Sequence, residues 1–350
     1  MKVALLALRW CDYGGWASYT KHLAIGIQQA GHDVGIFRLG GSKCKSKSIG
    51  MGLDLVPVTM DEDGVAFLRR FDLIDVVVFA TEGQSKLNCR PTEFNFLSKL
   101  GPIVVTLHDP TEWRSYPGTK VELSSKGTFF KTNLNIKKIV FIREAAAETF
   151  CREISAKWDT VVCPHPYSRM AEQKLFPRRN CAVVTSRIDY DKNIHLILPI
   201  IGKTEVGVEF WTSPGGVNRM YEHQILLGLG WNQSLLHPWG FEKSEYDRCY
   251  GGALALVDMS TISGDGGGTQ YTFLEAMDYG CNLIINSKWG SGELKPHIHY
   301  TPVDNSDQII SALKELHLKG ISADRIAANN ECLSRHSAKK QASSLLEMTA

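Results

Sequence analysis

The stretch from Asp258 to Gly280, with the sequence DMSTISGDGGGTQYTFLEAMDYG, places the strongest constraint on the fold of this chain. An apolar run from Ala253 to Val257 comes before it and predicts a buried strand. A glycine-rich loop follows, and a helical pattern then runs from about Thr269 to Gly280. A strand, a glycine-rich loop and a helix N-terminus together favour diphosphate binding, because the backbone comes close and free N–H groups face the negative charge. The same pattern is also typical of ordinary βα turns, so by itself it leaves both interpretations open.

Apolar strands and helical patterns alternate in both halves of the chain, which predicts an α/β fold. The alternation begins with a strand at Val3–Leu8, a helix at Trp16–Ala30 and a strand at His32–Arg38. Further strands are predicted at Leu73–Ala80, Ile103–His108, Lys138–Ile142, Cys181–Ser186, Val206–Trp211, Cys281–Asn286 and His299–Pro302. Further helices are predicted at Pro91–Leu100, after Arg187, and at Glu242–Tyr250, Ser306–Leu318 and Ala338–Met348. Nearly continuous apolar character in most of the strands indicates parallel sheets that are covered on both faces.

The length of 350 residues suits two domains, at roughly 150 residues for each. Near Asn180 the periodicity stops in a charged stretch with three prolines, CPHPYSRMAEQKLFPRRN, which is typical of a linker. We therefore predict a Rossmann-like domain at 1–165, a linker at 166–180 and a second Rossmann-like domain at 181–332. Residues 333–350 form a C-terminal helix that can pack back on the first domain.

Composition narrows the class of protein only in part. Hydrophobic residues make up 43% of the chain, enough for real cores, and the net charge of +2 indicates no partner by itself. The nine cysteines form no CxxC pair, so we expect reduced core cysteines in a cytoplasmic protein and no metal site; Cys163 and His165 lack companion ligands and are interpreted as structural. The N-terminal apolar run is too short for a signal peptide, and no later run has the length of a transmembrane segment.

Polar side chains follow the strand predicted at Ile103–His108. This strand ends in His108 and Asp109, and Trp113 and Arg114 follow in a loop rich in recognition side chains. In open α/β sheets ligands bind beyond the carboxyl ends of the strands, which favours a functional role for these residues. The alternative is an Asp N-cap beside an incidental histidine.

Two other loops of the first half carry weaker signals. Gly14 and Gly15 follow the first strand, but they form no GxGxxG fingerprint, so a tightly bound NAD is not expected and a close-approach loop is the simpler interpretation. The glycine-bounded segment GGSKCKSKSIG contains Lys43, Lys45 and Lys47. It is either a solvated loop or a contact to acceptor phosphates.

Arg187 and Lys192 are five residues apart across a predicted strand-to-helix turn in the second half. Arginine donates through a planar fork and lysine through a point charge, so both can reach one diphosphate. Together with the glycine-rich loop before Thr269, they give one domain two anion-binding features.

The order R-x4-K, then PWGF, then a glycine loop ending in LEAMDYG resembles the retaining glycosyltransferases of the GT-B fold. The likeness covers most of the chain and is strongest from Ser186 to Asn286. It implies two Rossmann-like domains that face each other across a cleft, with a nucleotide-sugar donor bound by the C-terminal domain and an acceptor by the N-terminal one. It implies a soluble hexosyltransferase whose donor is a co-substrate, with no cofactor and no metal.

The resemblance also implies roles for individual residues. Arg187 and Lys192 would hold the donor diphosphate. Glu275 would bind the ribose. Backbone N–H groups for the phosphates would come from Gly267, Gly268 and Thr269, and contacts near the nucleobase from Trp239, Gly240 and Phe241.

The N-terminal domain would complete the reaction centre. The resemblance implies that Gly14 and Gly15 face the donor from the opposite domain and that His108 contacts the sugar near the reacting carbon. His108 or Asp109 would orient the acceptor hydroxyl or the sugar, and no general base is assigned.

One departure from the family pattern concerns the donor sugar. The family carries a glutamate eight residues before the second one, and here that position is Gly267. Asp265 is the nearest carboxylate that could take over the contact to the sugar hydroxyls. The expected reaction is transfer of a hexose, glucose from UDP-glucose, with retention of configuration. A nucleotide-sugar 2-epimerase and a non-catalytic nucleotide-sugar-binding protein are the alternatives on the same fold.

A second likeness bears on the acceptor. The run YTFLEAMDYG…SKWGSGELK resembles the DNA α-glucosyltransferases of T-even bacteriophages, which glucosylate hydroxymethylcytosine in duplex DNA. The basic loop at Lys43–Lys47, with Arg9, Arg114 and Arg143, could meet a phosphate backbone. The net charge of +2 is low for a DNA-binding protein. The acceptor is therefore duplex DNA, or else a glycan, a lipid-linked sugar or a small molecule.

Overall fold

The structure is a computed structural model of the chain. It describes residues 1–8, 10, 14–40, 45–78, 91–108, 135–154, 158–171, 176–211, 219–228, 236–237, 243–261, 268–290 and 294–349. The described residues fall into two compact units. Unit 1 lies within Met1–Ser168 and His336–Ala350, and unit 2 within Arg169–Ser263 and Gly267–Arg335.

The described strands are β1 (Lys2–Ala7), β2 (Asp33–Leu39), β3 (Lys47–Ser48), β4 (Asp54–Val58), β5 (Leu73–Val78), β6 (Ile103–Leu107), β7 (Ile136–Phe141), β8 (Asp159–Val162), β9 (Cys181–Val184), β10 (Gly207–Trp211), β11 (Leu236–His237), β12 (Ala255–Asp258), β13 (Asn282–Asn286) and β14 (Tyr300–Val303). The described helices are α1 (Gly15–Gln29), α2 (Glu62–Leu68), α3 (Pro91–Lys99), α4 (Glu144–Ile154), α5 (Arg219–Gly228), α6 (Lys243–Tyr250), α7 (Tyr271–Asp278), α8 (Ser306–Lys319), α9 (Ala323–Arg335) and α10 (Ala338–Thr349).

The sheet of unit 1 has the described strand order β3-β4-β2-β1-β5-β6-β7-β8. Its pairs are parallel except for β3 with β4. Strands β1 and β6 are buried almost throughout, because helices cover both faces of a parallel sheet. The strand order reverses between β1 and β5, and this reversal defines the topological switch point at which ligands bind in such sheets.

The C-terminal helix α10 belongs to unit 1 and packs against α1. Gly26 makes the close approach possible, because a Cβ atom there would lie 2.2 Å from the carbonyl oxygen of Ala338. At the other end of α10, the Nζ of Lys137 donates a hydrogen bond of 2.6 Å to the carbonyl oxygen of Thr349. The last helix in the chain is thus part of the core of the first unit.

The sheet of unit 2 has the described strand order β11-β10-β9-β12-β13-β14, and all of its pairs are parallel. From β9 the chain adds β10 and β11 on one side of the sheet, and from β12 it adds β13 and β14 on the other side. The switch point therefore lies between β9 and β12, beyond Val184 and Asp258.

The predicted α/β fold is confirmed, and the predicted strands and most of the predicted helices are present within a few residues of their expected ends. The helix predicted after Arg187 is wrong. The chain forms three short 3-10 turns there, at Tyr190–Lys192, Ile194–Leu196 and Leu198–Ile200. Asn193 has φ +48°, which interrupts a right-handed helix, and Pro199 has no N–H to donate to one.

Helix α9 was not predicted from the sequence. Its buried residues are Ala328, Asn329, Cys332 and Leu333, which have helical spacing but include few large apolar side chains. Among the described cysteines, Cys151 is exposed, which corrects the expectation that these residues all belong to the core; the other described ones are buried. No described helix is long and apolar enough to cross a membrane.

Candidate functional site

A buried hydrogen bond joins the carboxyl ends of β9 and β12 at the switch point of unit 2. The Oγ of Ser186 donates to Oδ2 of Asp258 at 2.8 Å, and Oδ1 of Asp258 accepts the backbone N–H of Ser260 at 2.8 Å. Asp258 is only 1% exposed, so its carboxyl oxygens are satisfied by these donors and not by bulk water. The bonds hold two loops of the candidate site, those after β9 and β12, at one edge of the sheet.

Arg187 and Lys192 converge on one carboxylate just beyond this edge. The Nη2 of Arg187 lies 3.5 Å from Oδ1 of Asp191, and the Nζ of Lys192 lies 3.2 Å from Oδ2 of the same group. The Nε of Arg187 also donates to Oδ2 of Asp189 at 3.1 Å. The Nη2 of Arg187 is also 3.5 Å from Oδ2, so both cationic groups contact the same small anion and are close enough to share a phosphate.

The loop that carries these cations is held to the segment after β12. The side-chain amide of Asn193 donates to the carbonyl oxygen of Met259 at 3.0 Å and to Oγ1 of Thr261 at 3.1 Å. The backbone N–H of Thr261 donates to the carbonyl oxygen of Asp191 at 2.8 Å. The cationic loop and the chain that leads into the glycine-rich stretch therefore form one hydrogen-bonded assembly.

Helix α7 begins after Gly268 and Thr269. Gly268 has φ +100°, a conformation that favours glycine, and Thr269 is buried. Gln270 is the N-cap residue, and its side chain makes no capping hydrogen bond. The positive end of the helix dipole and its first N–H groups therefore lie next to Gly268.

Trp289 connects α7 with the segment after β12. Its indole Nε1 donates to the carbonyl oxygen of Ser260 at 2.7 Å, and its ring meets that of Phe273 edge-on, with centroids 5.6 Å apart. Phe273 is a buried residue of α7. The helix start is thus positioned relative to the loop that Asn193 binds.

Glu275 lies inside unit 2, with an exposed fraction of 4%. Its Oε2 accepts a hydrogen bond of 3.1 Å from the hydroxyl of Tyr250, which also lies 3.3 Å from Oγ1 of Thr185 at the end of β9. Burial raises the pKa of Glu275 to about 7, and hydrogen bonds from Tyr250 and Tyr246 oppose that rise. The carboxyl group is therefore poised between its two charge states near neutral pH.

His108, Gly14 and Gly15 are predicted residues of unit 1 that lie at the carboxyl edge of its sheet or at the start of α1. The Nε2 of His108 lies 2.7 Å from the carbonyl oxygen of Val77, and the ring meets that of Tyr19 edge-on at 4.6 Å between centroids. A carbonyl oxygen only accepts, so Nε2 carries the hydrogen. Gly14 is the exposed N-cap of α1, with φ +97°, and Gly15 is its first residue.

Sequence reasoning did not identify several residues of this arrangement. Ser186, Asp258 and Tyr250 are polar groups that contact one another or the predicted residues only because strands and helices distant in sequence are neighbours. Asp191 carried a signal, since it stands between the two predicted cations, but its contact with both of them depends on the 3-10 turn.

Part of the predicted site lies outside the described residues. These predictions are Asp109, Trp113, Arg114, Lys43, Trp239, Gly240, Phe241, Asp265 and Gly267. Lys45 is described and exposed, just before β3. Within the described ranges, no group of three or more His, Cys, Asp or Glu side chains has the arrangement of a metal site.

No family model matches the chain, and no curated protein sequence matches it. Several solved structures, however, are similar to the chain. HepE of Anabaena, crystallised with UDP, is 13% identical, with 99% of each chain covered and a TM-score of 0.67. Sucrose-phosphate synthase of Thermosynechococcus elongatus is 13% identical over 99% of this chain and 98% of that one, with a TM-score of 0.67. The pneumococcal O-GlcNAc transferase GtfA, crystallised with UDP and GlcNAc, is 10% identical over 100% and 98%, with a TM-score of 0.68.

These likenesses extend over nearly the full length of each chain. They show that the chain has the GT-B fold, as its sequence resemblance implied. The class of protein that this fold defines includes glycosyltransferases crystallised with nucleotides and nucleotide sugars.

Proposed function

We propose that this protein is a glycosyltransferase that uses a nucleotide sugar as its donor. The observation that carries the proposal is the convergence of Arg187 and Lys192 on one carboxylate at the switch point of unit 2. Proteins with the same fold have been crystallised with UDP or UDP-glucose, which supports a uridine nucleotide as the first candidate.

The donor diphosphate would take the place of the Asp191 carboxylate between the two cations. Arg187 can present two parallel N–H groups to phosphate oxygens, and Lys192 adds a point charge. The N–H groups at the start of α7 and the backbone at Gly268 supply further donors. Such preorganised positive groups stabilise the charge that develops on a departing nucleoside diphosphate, so the reaction does not require a metal ion in principle.

The nucleoside would lie toward the group formed by Glu275 and its tyrosines. A carboxyl group with a pKa of about 7 can accept hydrogen bonds from ribose hydroxyls in either charge state. Tyr250 orients it from the side of β9. The contacts of Trp239, Gly240 and Phe241 with the base, and of Asp265 with the sugar, remain part of the proposal on the grounds of resemblance.

On the acceptor side, His108 is the candidate for contact with the sugar near the reacting carbon. Its Nε2–H is engaged with the carbonyl oxygen of Val77, so in the neutral ring only Nδ1 can accept a proton or a hydrogen bond. This suits a residue that orients a hydroxyl group. Retention of configuration, glucose as the sugar, a role for Asp109 and a cytoplasmic location belong to the proposal and follow from the sequence resemblance.

The acceptor is proposed as a hydroxyl group on duplex DNA, a glycan, a lipid-linked sugar or a small molecule. Lys45 is exposed and could meet a phosphate, but one described lysine does not select among these acceptors. A test with hydroxymethylated DNA, plain DNA and oligosaccharides separates them, with transfer of labelled sugar as the readout.

Donor binding is tested by calorimetric titration with UDP-, GDP- and ADP-glucose. Wild type and Lys203→Ala should bind one of them with equal affinity, because Lys203 lies in unit 2 away from the cationic loop. Lys192→Ala should bind it much more weakly. Equal affinity in the Lys192 variant, or no binding of any nucleotide sugar to wild type, would contradict the proposal. Product analysis without acceptor distinguishes transfer from epimerisation.

A further inference from the structure

A cavity with both polar and apolar lining lies in unit 2, where α8 ends and α9 begins. Its volume is about 220 Å³, and its floor contains Asn282 and Thr301, near the amino ends of β13 and β14. The candidate donor site lies beyond the carboxyl ends of the strands of this sheet. Because β13 has five residues at roughly 3.3 Å each, the two sites are separated by about 13 Å of strand.

Arg325, in the first turn of α9, forms part of the cavity wall. Its Nη1 is buried and has no hydrogen-bond partner among the described residues. Burial lowers the pKa of Arg325, and the carboxylate of Glu315 opposes that effect. A buried guanidinium N–H without an acceptor is unfavourable, and because Nη1 has no accessible surface, an anion in the cavity would stabilise the guanidinium of Arg325 through its charge.

Other groups around the cavity also favour an anionic ligand. Lys319 lines it as the last residue of α8, with its Nζ 3.0 Å from Oε1 of Glu315 at the exposed mouth. The N-terminus of α9 adds the positive end of a helix dipole. The backbone N–H of Arg325 is already bonded to the Oγ of Ser322 at 3.2 Å, so the contribution of the helix start is its dipole. An arginine, a lysine and the dipole of a helix start at one cavity favour an oxyanion as its ligand.

The floor and the mouth provide partners for hydroxyl groups. The side-chain amide of Asn282 donates to Oγ1 of Thr301 at 3.3 Å, which leaves the hydroxyl hydrogen of Thr301 free to be donated to a ligand. Glu315 can accept hydrogen bonds at the mouth. The volume is smaller than the roughly 300 Å³ at which pockets for drug-sized ligands begin, so the cavity suits a small molecule and not a nucleotide.

We infer that this cavity binds a small phosphate monoester, with the phosphate on Arg325, Lys319 and the start of α9, and its hydroxyl groups on Thr301 and Glu315. The site is distinct from the proposed donor site and does not depend on the proposed activity. Its position at the opposite end of the sheet makes it suitable for an effector and not for a reactant.

The test is a calorimetric titration of the full chain with glycerol 3-phosphate and with inorganic phosphate. It is carried out in the Lys192→Ala background, because the cations near Asp191 would also attract phosphate. We expect binding that Arg325→Gln weakens at least tenfold and Lys319→Gln severalfold. Lys203→Gln, a lysine of unit 2 outside the cavity, should leave the affinity unchanged. Glycerol alone should not bind.

Hydrogen exchange locates the bound phosphate. The amides at the start of α9 should become protected when glycerol 3-phosphate is added. Lys319 is 73% exposed in its side chain, so Lys319→Gln should fold normally and tests the inference even where Arg325→Gln does not fold. Absence of binding at millimolar ligand, unchanged affinity in the Lys319 variant, or protection confined to other segments would each overturn the inference.

Discussion

The partly exposed charged edge of unit 2 differs from the buried ionisable groups of unit 1 in the partners that it uses. At the carboxyl edge of unit 2, charged groups are paired with one another, as in the contacts of Arg187 and Lys192 with Asp191. Two buried ionisable groups of unit 1 have neutral partners, as Glu275 of unit 2 also does. Asp75, on the central strand β5, is bonded through both carboxyl oxygens to the hydroxyl of Thr106, and His22 accepts the backbone N–H of Ser168.

Burial therefore shifts the pKa values of the unit 1 groups toward their neutral forms. It raises the pKa of Asp75 to about 7 and, together with the charge of Lys21, lowers the pKa of His22 to about 3. The comparison indicates that the edge of unit 2 at Arg187 and Lys192 keeps charge available for an ionic ligand, whereas burial favours the neutral forms of Asp75 and His22 in unit 1. The difference agrees with a donor diphosphate on unit 2 and can be tested residue by residue.

The largest expected effect comes from removing a cation of unit 2. Lys192→Ala should lower turnover by about two to three orders of magnitude, because a preorganised positive group at a leaving diphosphate contributes that much. Steady-state rates with UDP-glucose and the identified acceptor measure it, and circular dichroism confirms that the variant folds. Lys203→Ala is the control. If the Lys192 variant turned over as fast as wild type, the charged edge of unit 2 would have no part in the mechanism.

The variant Asp75→Asn tests whether burial favours the neutral form of the Asp75 carboxyl group in unit 1. Burial raises the pKa of Asp75 in the folded protein to about 7, from near 4 in the unfolded chain. The folded protein therefore loses stability as the pH rises between these two pKa values, because the unfolded chain releases the proton first. The gain of Asp75→Asn over wild type should therefore be larger at pH 8 than at pH 5, by about 3 kcal/mol at most.

Urea unfolding at the two pH values measures this gain. Asp54→Asn, at an exposed position on β4, is the control and should show no such dependence on pH. A gain for Asp75→Asn that is the same at both pH values would show that the Asp75 carboxyl is not held neutral by burial.

Gly268 tests whether the start of α7 belongs to the charged edge. Gly268→Ala places a side chain at φ +100° and should shift the first N–H groups of the helix, which would weaken nucleotide binding about tenfold. Gly280→Ala is the matched control, because Gly280 has φ +77° at the other end of the same helix. Titration with UDP compares them. Equal losses would indicate general strain in α7 and not a role at the phosphate.

The smallest effect is expected at Asp191. This carboxylate competes with a diphosphate for Arg187 and Lys192, so Asp191→Asn should tighten UDP binding severalfold, in keeping with the modest energies of partly exposed ion pairs. Glu331→Gln removes another ion pair with a cation four residues away, to Arg335, and should leave the affinity unchanged. Weaker binding in the Asp191 variant would mean that Asp191 positions the cations and does not compete.

The sequence predicted the alternation of strands and helices because apolar periodicity is a local property. The sequence did not predict the 3-10 turns after Arg187, which depend on local backbone detail. It also did not predict α9, because the buried face of that helix includes small and polar residues. Arg187 and Lys192 could be predicted because charged residues beside a strand end carry a recognisable chemistry. Residues such as Ser186 and Tyr250 have no such signal, since each acts through a partner far away in the chain.

By itself, therefore, the sequence determined the α/β class, the positions of most elements and the cationic pair beside β9. Only the tertiary structure decided the strand order, the switch point between β9 and β12 and the cavity beside Arg325. The physical reason is that a hydrophobic period sets how a segment folds, whereas neighbours in a parallel sheet are chosen by the packing of segments that are distant in sequence.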